Sequence, residues 1–193
     1  SLTKGQKAIF EKAKTVPRDK RLFFDREIFR LFFGDCYNYT RSFNDCISKI
    51  IINYLSGKLA DSGIIREIFS EELKDMWSTR PDIVGFSILV NKQLLYSLAL
   101  AKMIKESFNI PIVFGGPALF CYNLDELAST FGFIDFIVLR EGEEAIVGLL
   151  KMINAKSFLG IPNLIWRRGK VFVFNENRCI KDLNLLPAPD FRG

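Results

Sequence analysis

Between Asp82 and Ile153 three short apolar runs alternate with longer amphipathic segments, and that spacing leaves few folds open. Asp82-Ile-Val-Gly-Phe-Ser87 reads as a buried strand, Leu94 to Phe108 as a helix with Leu95, Leu98, Ala99 and Met103 on one side. Ile112-Val-Phe114 is a second strand, Leu124 to Phe131 a short helix, Phe133 to Leu139 a third strand, and Glu143 to Ile153 a closing helix. Strand, helix, strand, helix at these lengths predicts right-handed parallel crossovers. The near-continuous apolar strands predict a sheet covered on both faces.

The flanks follow other rules. From Lys4 to about Trp77, apolar positions recur at three-and-four spacing, as in Ile28, Leu31, Phe32 and again in Ile47, Ile50, Ile51, Tyr54, Leu55. Pro17, Gly34, Ser56-Gly57 and Ser62-Gly63 punctuate this stretch, predicting three or four short helices. After Gly160, Asn163-Leu-Ile-Trp-Arg167 and Lys170-Val-Phe-Val-Phe-Asn175 flank the turn signal Arg168-Gly169, which predicts a β-hairpin. The expected organisation is a helical segment over 1–79, a parallel α/β core over 80–160, a hairpin extension over 161–182 and a proline-spaced linker over 183–193. That linker reads as leading toward a further C-terminal domain of a longer chain.

Composition removes whole classes of function. The chain has no His, so Ser-His-Asp and Cys-His nucleophile systems, His metal sites and imidazole bases are all excluded. Cys36, Cys46, Cys121 and Cys179 form no C-x-x-C pair and have no metal-ligand spacing, and they read as reduced thiols. A net charge of +5, spread among acidic residues, forms no basic stripe for nucleic acid. No run reaches the roughly eighteen apolar residues that span a bilayer, and no leader pattern opens the chain, so the expectation is a cytoplasmic protein without a membrane partner. The nineteen Phe crowd early, in Arg21-Leu-Phe-Phe24 and Arg30-Leu-Phe-Phe33, where they could pair copies of the chain into a homodimer.

Ligands of open parallel sheets bind beyond the carboxyl ends of the strands, where loops converge and helix N-termini offer free N–H groups. Three sets of residues fall on that rim: Ser87-Ile88-Leu89, Gly115-Gly116-Pro117, and Arg140-Glu141-Gly142-Glu143-Glu144. Ser87 offers a hydroxyl to a ligand, or else caps the following loop or helix. Gly115 and Gly116 let backbone lie against a flat group, with Pro117 stiffening the exit, or they serve turn geometry alone. Glu141 and Glu143 flank Gly142 at a helix start, where the macrodipole favours carboxylates and where their charge would repel a phosphate. Neither a G-x-x-x-x-G-K-[ST] nor a G-x-G-x-x-G occurs. A bulky, roughly neutral ligand group suits this rim.

The ordered phrases Asp82-Ile-Val-Gly-Phe-Ser-Ile-Leu89, Ala99-Leu-Ala-Lys-Met-Ile-Lys-Glu106, Ile112-Val-Phe-Gly-Gly-Pro117 and Asp135-Phe-Ile-Val-Leu-Arg-Glu-Gly-Glu-Glu144 carry a resemblance. With Ile161-Pro-Asn-Leu-Ile-Trp-Arg167 and Leu183-Asn-Leu-Leu-Pro-Ala-Pro-Asp190, the stretch from Asp82 to Asp190 resembles the cobalamin-binding domain found ahead of the barrel in many radical S-adenosylmethionine proteins. The resemblance implies an open parallel sheet of Rossmann-like or flavodoxin-like kind. It implies that Ser87 and Leu89 form the S-x-L element and Gly115-Gly116 the G-G element that hold the cofactor's nucleotide tail, with Glu141 to Glu143 shaping the rim. Without a His the cobalamin would be bound His-off. The implied parent is a radical enzyme, such as a methyltransferase, with an S-adenosylmethionine and 4Fe-4S centre in its C-terminal radical domain; that domain would be the partner, and this stretch would have no catalysis alone. Two other readings stay open: a scaffold that kept the fold, lost the cofactor and docks proteins, and an isolated nucleotide-binding domain.

Overall fold

A computed structural model describes residues 26–59, 63–169, 171–180 and 182. The chain divides into two compact units, 1–53 and 54–193, and the described part of the first is helical. Helix α1, Arg26–Leu55, runs unbroken for 30 residues. Gly34 therefore does not end a helix as the sequence reading expected. An interior glycine costs only about 1 kcal/mol, which a long helix absorbs. The stop comes at Ser56-Gly57, as expected, with Gly57 at φ 70°. Residues 4–25, Pro17 and the Ser62 break lie outside the described residues.

In the second unit, the short helices α2 (Gly63–Ile68) and α3 (Ser70–Thr79) lead into a five-stranded sheet. The strands are β1 (Val84–Ser87), β2 (Ile112–Gly115), β3 (Phe136–Val138), β4 (Leu164–Arg168) and β5 (Val171–Phe174), arranged in that order. β1, β2 and β3 pair in parallel, with Ser87 opposite Gly115 and Val113 opposite Phe136. β3–β4 and β4–β5 are antiparallel. The sheet is thus mixed and not wholly parallel. The hairpin forms as its sequence implied, around Gly169 at φ 64°, but β4 also pairs with β3 and so continues the same sheet.

Helix α4, Asn91–Phe108, joins β1 to β2, and helix α5, Leu124–Thr130, follows a 3-10 turn, Pro117–Cys121, between β2 and β3. Two right-handed crossovers stepping in one direction put both helices on one face of the sheet. Phe114 and Ile137, cross-strand partners on that face, are fully buried. Each such side chain contributes about 1.5–3 kcal/mol. On the same face Arg167 closes the end of α5. Its Nε donates to the Ile134 carbonyl at 2.7 Å, and its terminal nitrogen to the Ala128 and Phe131 carbonyls at 2.8 and 3.1 Å. Burial lowers the Arg167 pKa, with Asp135 opposing the change.

Helix α6, Glu143–Met152, lies on the opposite face. Its Ala145 and Leu149 pack with Val113, Phe136, Val138, Ile161 and Leu164 in one buried cluster. Where α4 ends, Asp135 stitches two strand starts together by accepting from the Ile112 amide and from Lys105 Nζ, each at 2.8 Å. The end of α1 is held within this unit by Tyr54, whose hydroxyl donates to Glu106 at 2.9 Å beneath Lys102. Among the described residues no helix is long and apolar enough to cross a membrane.

Candidate functional site

The C-terminal ends of β1, β2 and β3 enclose a cleft of about 440 Å³ on the α6 face of the sheet. Its position follows from the topology. Helix α6 covers the β3–β4 half of its face, and β1 and β2 keep small residues beneath the uncovered half. By strand alternation Gly85, Ser87, Val113 and Gly115 share that face, and all line the cleft. Gly116, Val138, Gly142 and Ile146 complete the apolar lining with the Phe86 backbone region, while Arg140 adds a charge. The Phe86 ring itself stacks on Phe114 at 5.0 Å.

Five of the residues expected on the rim meet here: Ser87, Gly115, Gly116, Arg140 and Gly142. Ser87 is exposed and does not cap the next helix. That work falls to Gln93, whose Oε1 accepts from the Leu89 and Val90 amides at 2.8 and 3.1 Å. Leu89 stands 61% exposed beyond the lining, and Pro117 begins the 3-10 turn outside it.

The two glycines differ in kind. Gly116 has φ 100° and ψ 160°, and a Cβ there would meet the Ile88 oxygen, nitrogen and carbonyl carbon at 2.5, 2.6 and 2.9 Å. It lets two strand exits touch: the Ile88 amide donates to the Gly115 carbonyl at 2.8 Å, and the Ala118 amide to the Ile88 carbonyl at 3.1 Å. A Cβ on Gly115 would meet only Val138, at 3.5 and 3.8 Å, which is ordinary contact. Nothing in the packing requires glycine at 115; its bareness only keeps the cleft floor open.

Glu141, Glu143 and Glu144 are not among the residues that line this cleft. Glu141 and Glu144 line a second cavity of about 540 Å³, together with Glu176, Arg178 and Asp182, and Glu143 lies outside both linings. The Glu141 Oε2 is shielded from solvent and has no hydrogen-bond partner among the described residues.

Asn163, which the sequence reading did not single out, fixes this loop. Only 3% exposed and at φ 61°, it donates from Nδ2 to the Glu141 carbonyl at 3.1 Å and accepts the Arg178 amide at Oδ1 at 2.7 Å. Its backbone carbonyl accepts from the Leu139 amide at 2.9 Å, and its amide donates to Glu176 at the same distance. An Asn after a proline, just ahead of a strand, was the available signal, since Asn tolerates the left-handed region.

Among the described residues no group of three or more His, Cys, Asp or Glu is placed to hold a metal ion. Neither protein-family models nor curated protein sequences match the chain.

Proposed function

We propose that residues 80–160 form a cofactor-holding module of cobalamin type, with the fold read at the finer level as a Rossmann-like or flavodoxin-like half-domain. The observation that supports this most directly is the bare floor at Gly85 and Gly115, lying beside Ser87 at the strand ends. A flat heteroaromatic ring suits such a floor, because exposed peptide planes can meet one of its faces while the apolar Val138 and Ile146 line the same cleft. The cleft volume falls within the roughly 300–1,000 Å³ of small-molecule sites.

In this reading Ser87 hydrogen-bonds the edge of the cofactor's tail, Gly115 lets the ring lie on the sheet, and Gly116 holds the two strand exits in register. With no His in the chain, no imidazole of its own reaches the cobalt. When bound, the corrin supplies methyl transfer or radical rearrangement in concert with a partner radical domain. The residues of this module bind and orient it and perform no chemistry themselves.

Titration of the chain with hydroxocobalamin, followed in the visible spectrum, tests the reading. A spectral shift that Ser87→Tyr and Gly115→Leu abolish, with circular dichroism unchanged, is the expected result. No shift at millimolar ligand overturns it.

A protein-docking scaffold is the second reading, and one observation favours it. Val147 and Leu150 on α6 are each 50% exposed, and Leu89 and Phe120 project from the rim. The Phe-rich pairs Phe23-Phe24 and Phe32-Phe33, expected to mediate self-association, lie outside the described side chains.

A further inference from the structure

The sheet ends on β5, and that edge has the features of a template for another strand. Among the described residues β5 pairs only with β4, and no backbone hydrogen bond reaches Phe172 or Phe174 from any other element. Their amides and carbonyls point outward. The Asn175 amide donates to the Leu164 carbonyl at 3.1 Å, so strand alternation turns the backbone groups of Val171 and Val173 toward β4 and those of Phe172 and Phe174 away from it. Val171 is 62% and Phe174 50% exposed, which leaves apolar surface along the same edge. Edge strands are commonly blunted by a proline or a charge, and Val171-Phe-Val-Phe174 has neither. The opposite edge, β1, carries Gly85 within it, which weakens a strand as a template.

We propose that β5 pairs antiparallel with β5 of a second copy of this chain, joining two sheets into one across a two-fold axis at Val173. The register follows from the strand's own groups. With Val173 opposite its own copy, Phe172 of each chain faces Phe174 of the other, and the outward amide and carbonyl of each of these residues is bonded. An axis one residue to either side would set Phe172 or Phe174 against a residue beyond the strand. Charge supports the same orientation. The hairpin tip carries exposed Arg168, with Lys170 next but one in sequence, whereas the strand exit carries exposed Glu176. Antiparallel pairing sets the basic tip of each copy beside the acidic exit of the other, and positions 170 and 176 are equally spaced about Val173. Glu176 reaches Arg178 of its own chain at 3.2 Å, an exposed contact that is worth little and leaves the carboxylate open to a second cation. A four-residue edge buries less than the roughly 1,200 Å² of a stable specific complex, so the dimer is a weak one. This pairing does not depend on a ligand in the cleft.

Sedimentation equilibrium on the full chain, from micromolar to millimolar concentration, tests the pairing. A monomer–dimer equilibrium with a Kd on the order of 100 µM is expected. Phe174→Pro removes an outward amide but no bond of the β4–β5 ladder, so circular dichroism should be unchanged and the dimer at least about tenfold weaker. Glu176→Lys, outside the strand, should weaken the dimer about tenfold by setting like charges together at both ends, and adding Lys170→Glu should restore it. A chain that stays monomeric at millimolar concentration overturns the proposal. So does a dimer that Phe174→Pro leaves intact, or one whose affinity the two charge changes do not lower and restore in turn.

Discussion

Gly115 and Gly116 are adjacent in sequence, yet alanine at the two positions should have opposite consequences. At Gly116 the new Cβ would fall 2.5–2.9 Å from three backbone atoms of Ile88. No side-chain rotation relieves a clash with backbone. The φ of 100° with ψ of 160° adds strain of about 1–3 kcal/mol for a residue with a Cβ. Separating the strand exits would also loosen the two hydrogen bonds that join them, from the Ile88 and Ala118 amides. Each contributes about 1 kcal/mol net. Together these give about 3–5 kcal/mol, a large share of the roughly 5–15 kcal/mol that stabilises a domain. At Gly115 the Cβ meets Val138 at ordinary distance, and loss of glycine freedom in the unfolded chain offsets any small cost. Gly115→Ala should lie within about 1 kcal/mol of wild type. Urea unfolding followed by far-ultraviolet circular dichroism reads both. With a slope of about 2 kcal/mol per molar, Gly116→Ala should lower the midpoint by about 2 M and Gly115→Ala by less than about 0.5 M. A Gly116→Ala variant as stable as wild type would refute the close-approach argument. A Gly115→Ala variant as damaged as Gly116→Ala would refute the claim that position 115 serves the cleft and not the packing.

Asn163→Ala should cost about 3–4 kcal/mol in the same assay, because it strands the Glu141 carbonyl and the Arg178 amide and puts a Cβ-only side chain at φ 61°; a loss under 1 kcal/mol would show that the clamp is dispensable. Tyr54 yields a pH signature: burial, and then its bond to the Glu106 carboxylate, raise its phenol above the ordinary 10.0. Because the folded pKa exceeds the unfolded one, this contribution is fully present below pH 10 and is lost as the pH rises above it. Tyr54→Phe should accordingly show a shallower loss of stability between about pH 10 and 11 than wild type, measured by urea midpoints, and identical slopes would refute the assignment.

The elements of the core were legible because each obeys one periodicity. Runs such as Ile112-Val-Phe114 are too short for a helix and too apolar for a loop, and the segment holding Leu94, Leu98 and Met103 repeats at helical spacing. Gly34 misled because local propensity is weak against the length of a 30-residue helix. Strand order and partner were hidden for another reason. Whether β4 pairs with β3 or stands apart depends on contacts such as Trp166 opposite Phe136, which lie 30 residues away in sequence. The split of the loop after β3 was hidden too: Arg140 and Gly142 line the cleft, while Glu141 and Glu144 line the second cavity, where the Arg140 guanidinium reaches Cys179. A single left-handed residue reverses the directions in which its neighbours project, and no composition rule marks where one will fall.

The cleft itself follows from the sheet order. Because β1, β2 and β3 are laid down in sequence, both crossover helices fall on one face, and among the described residues α6 and the segment after it cover the opposite face over β3 and β4. Over β1 and β2 that face would present a hydrophobic floor to water if its residues were large. Instead it carries Gly85, Ser87 and Gly115, with Val113 the exception at 4% exposure. Small residues limit the apolar area left uncovered and at the same time leave a recess deep enough for a ring. Gly85 supports this argument independently of Gly115, since a Cβ there would touch Val113 alone, at 3.5 Å. Two positions on adjacent strands could carry side chains without a clash and carry none, and it is this bareness that the proposed cofactor-tail reading accounts for.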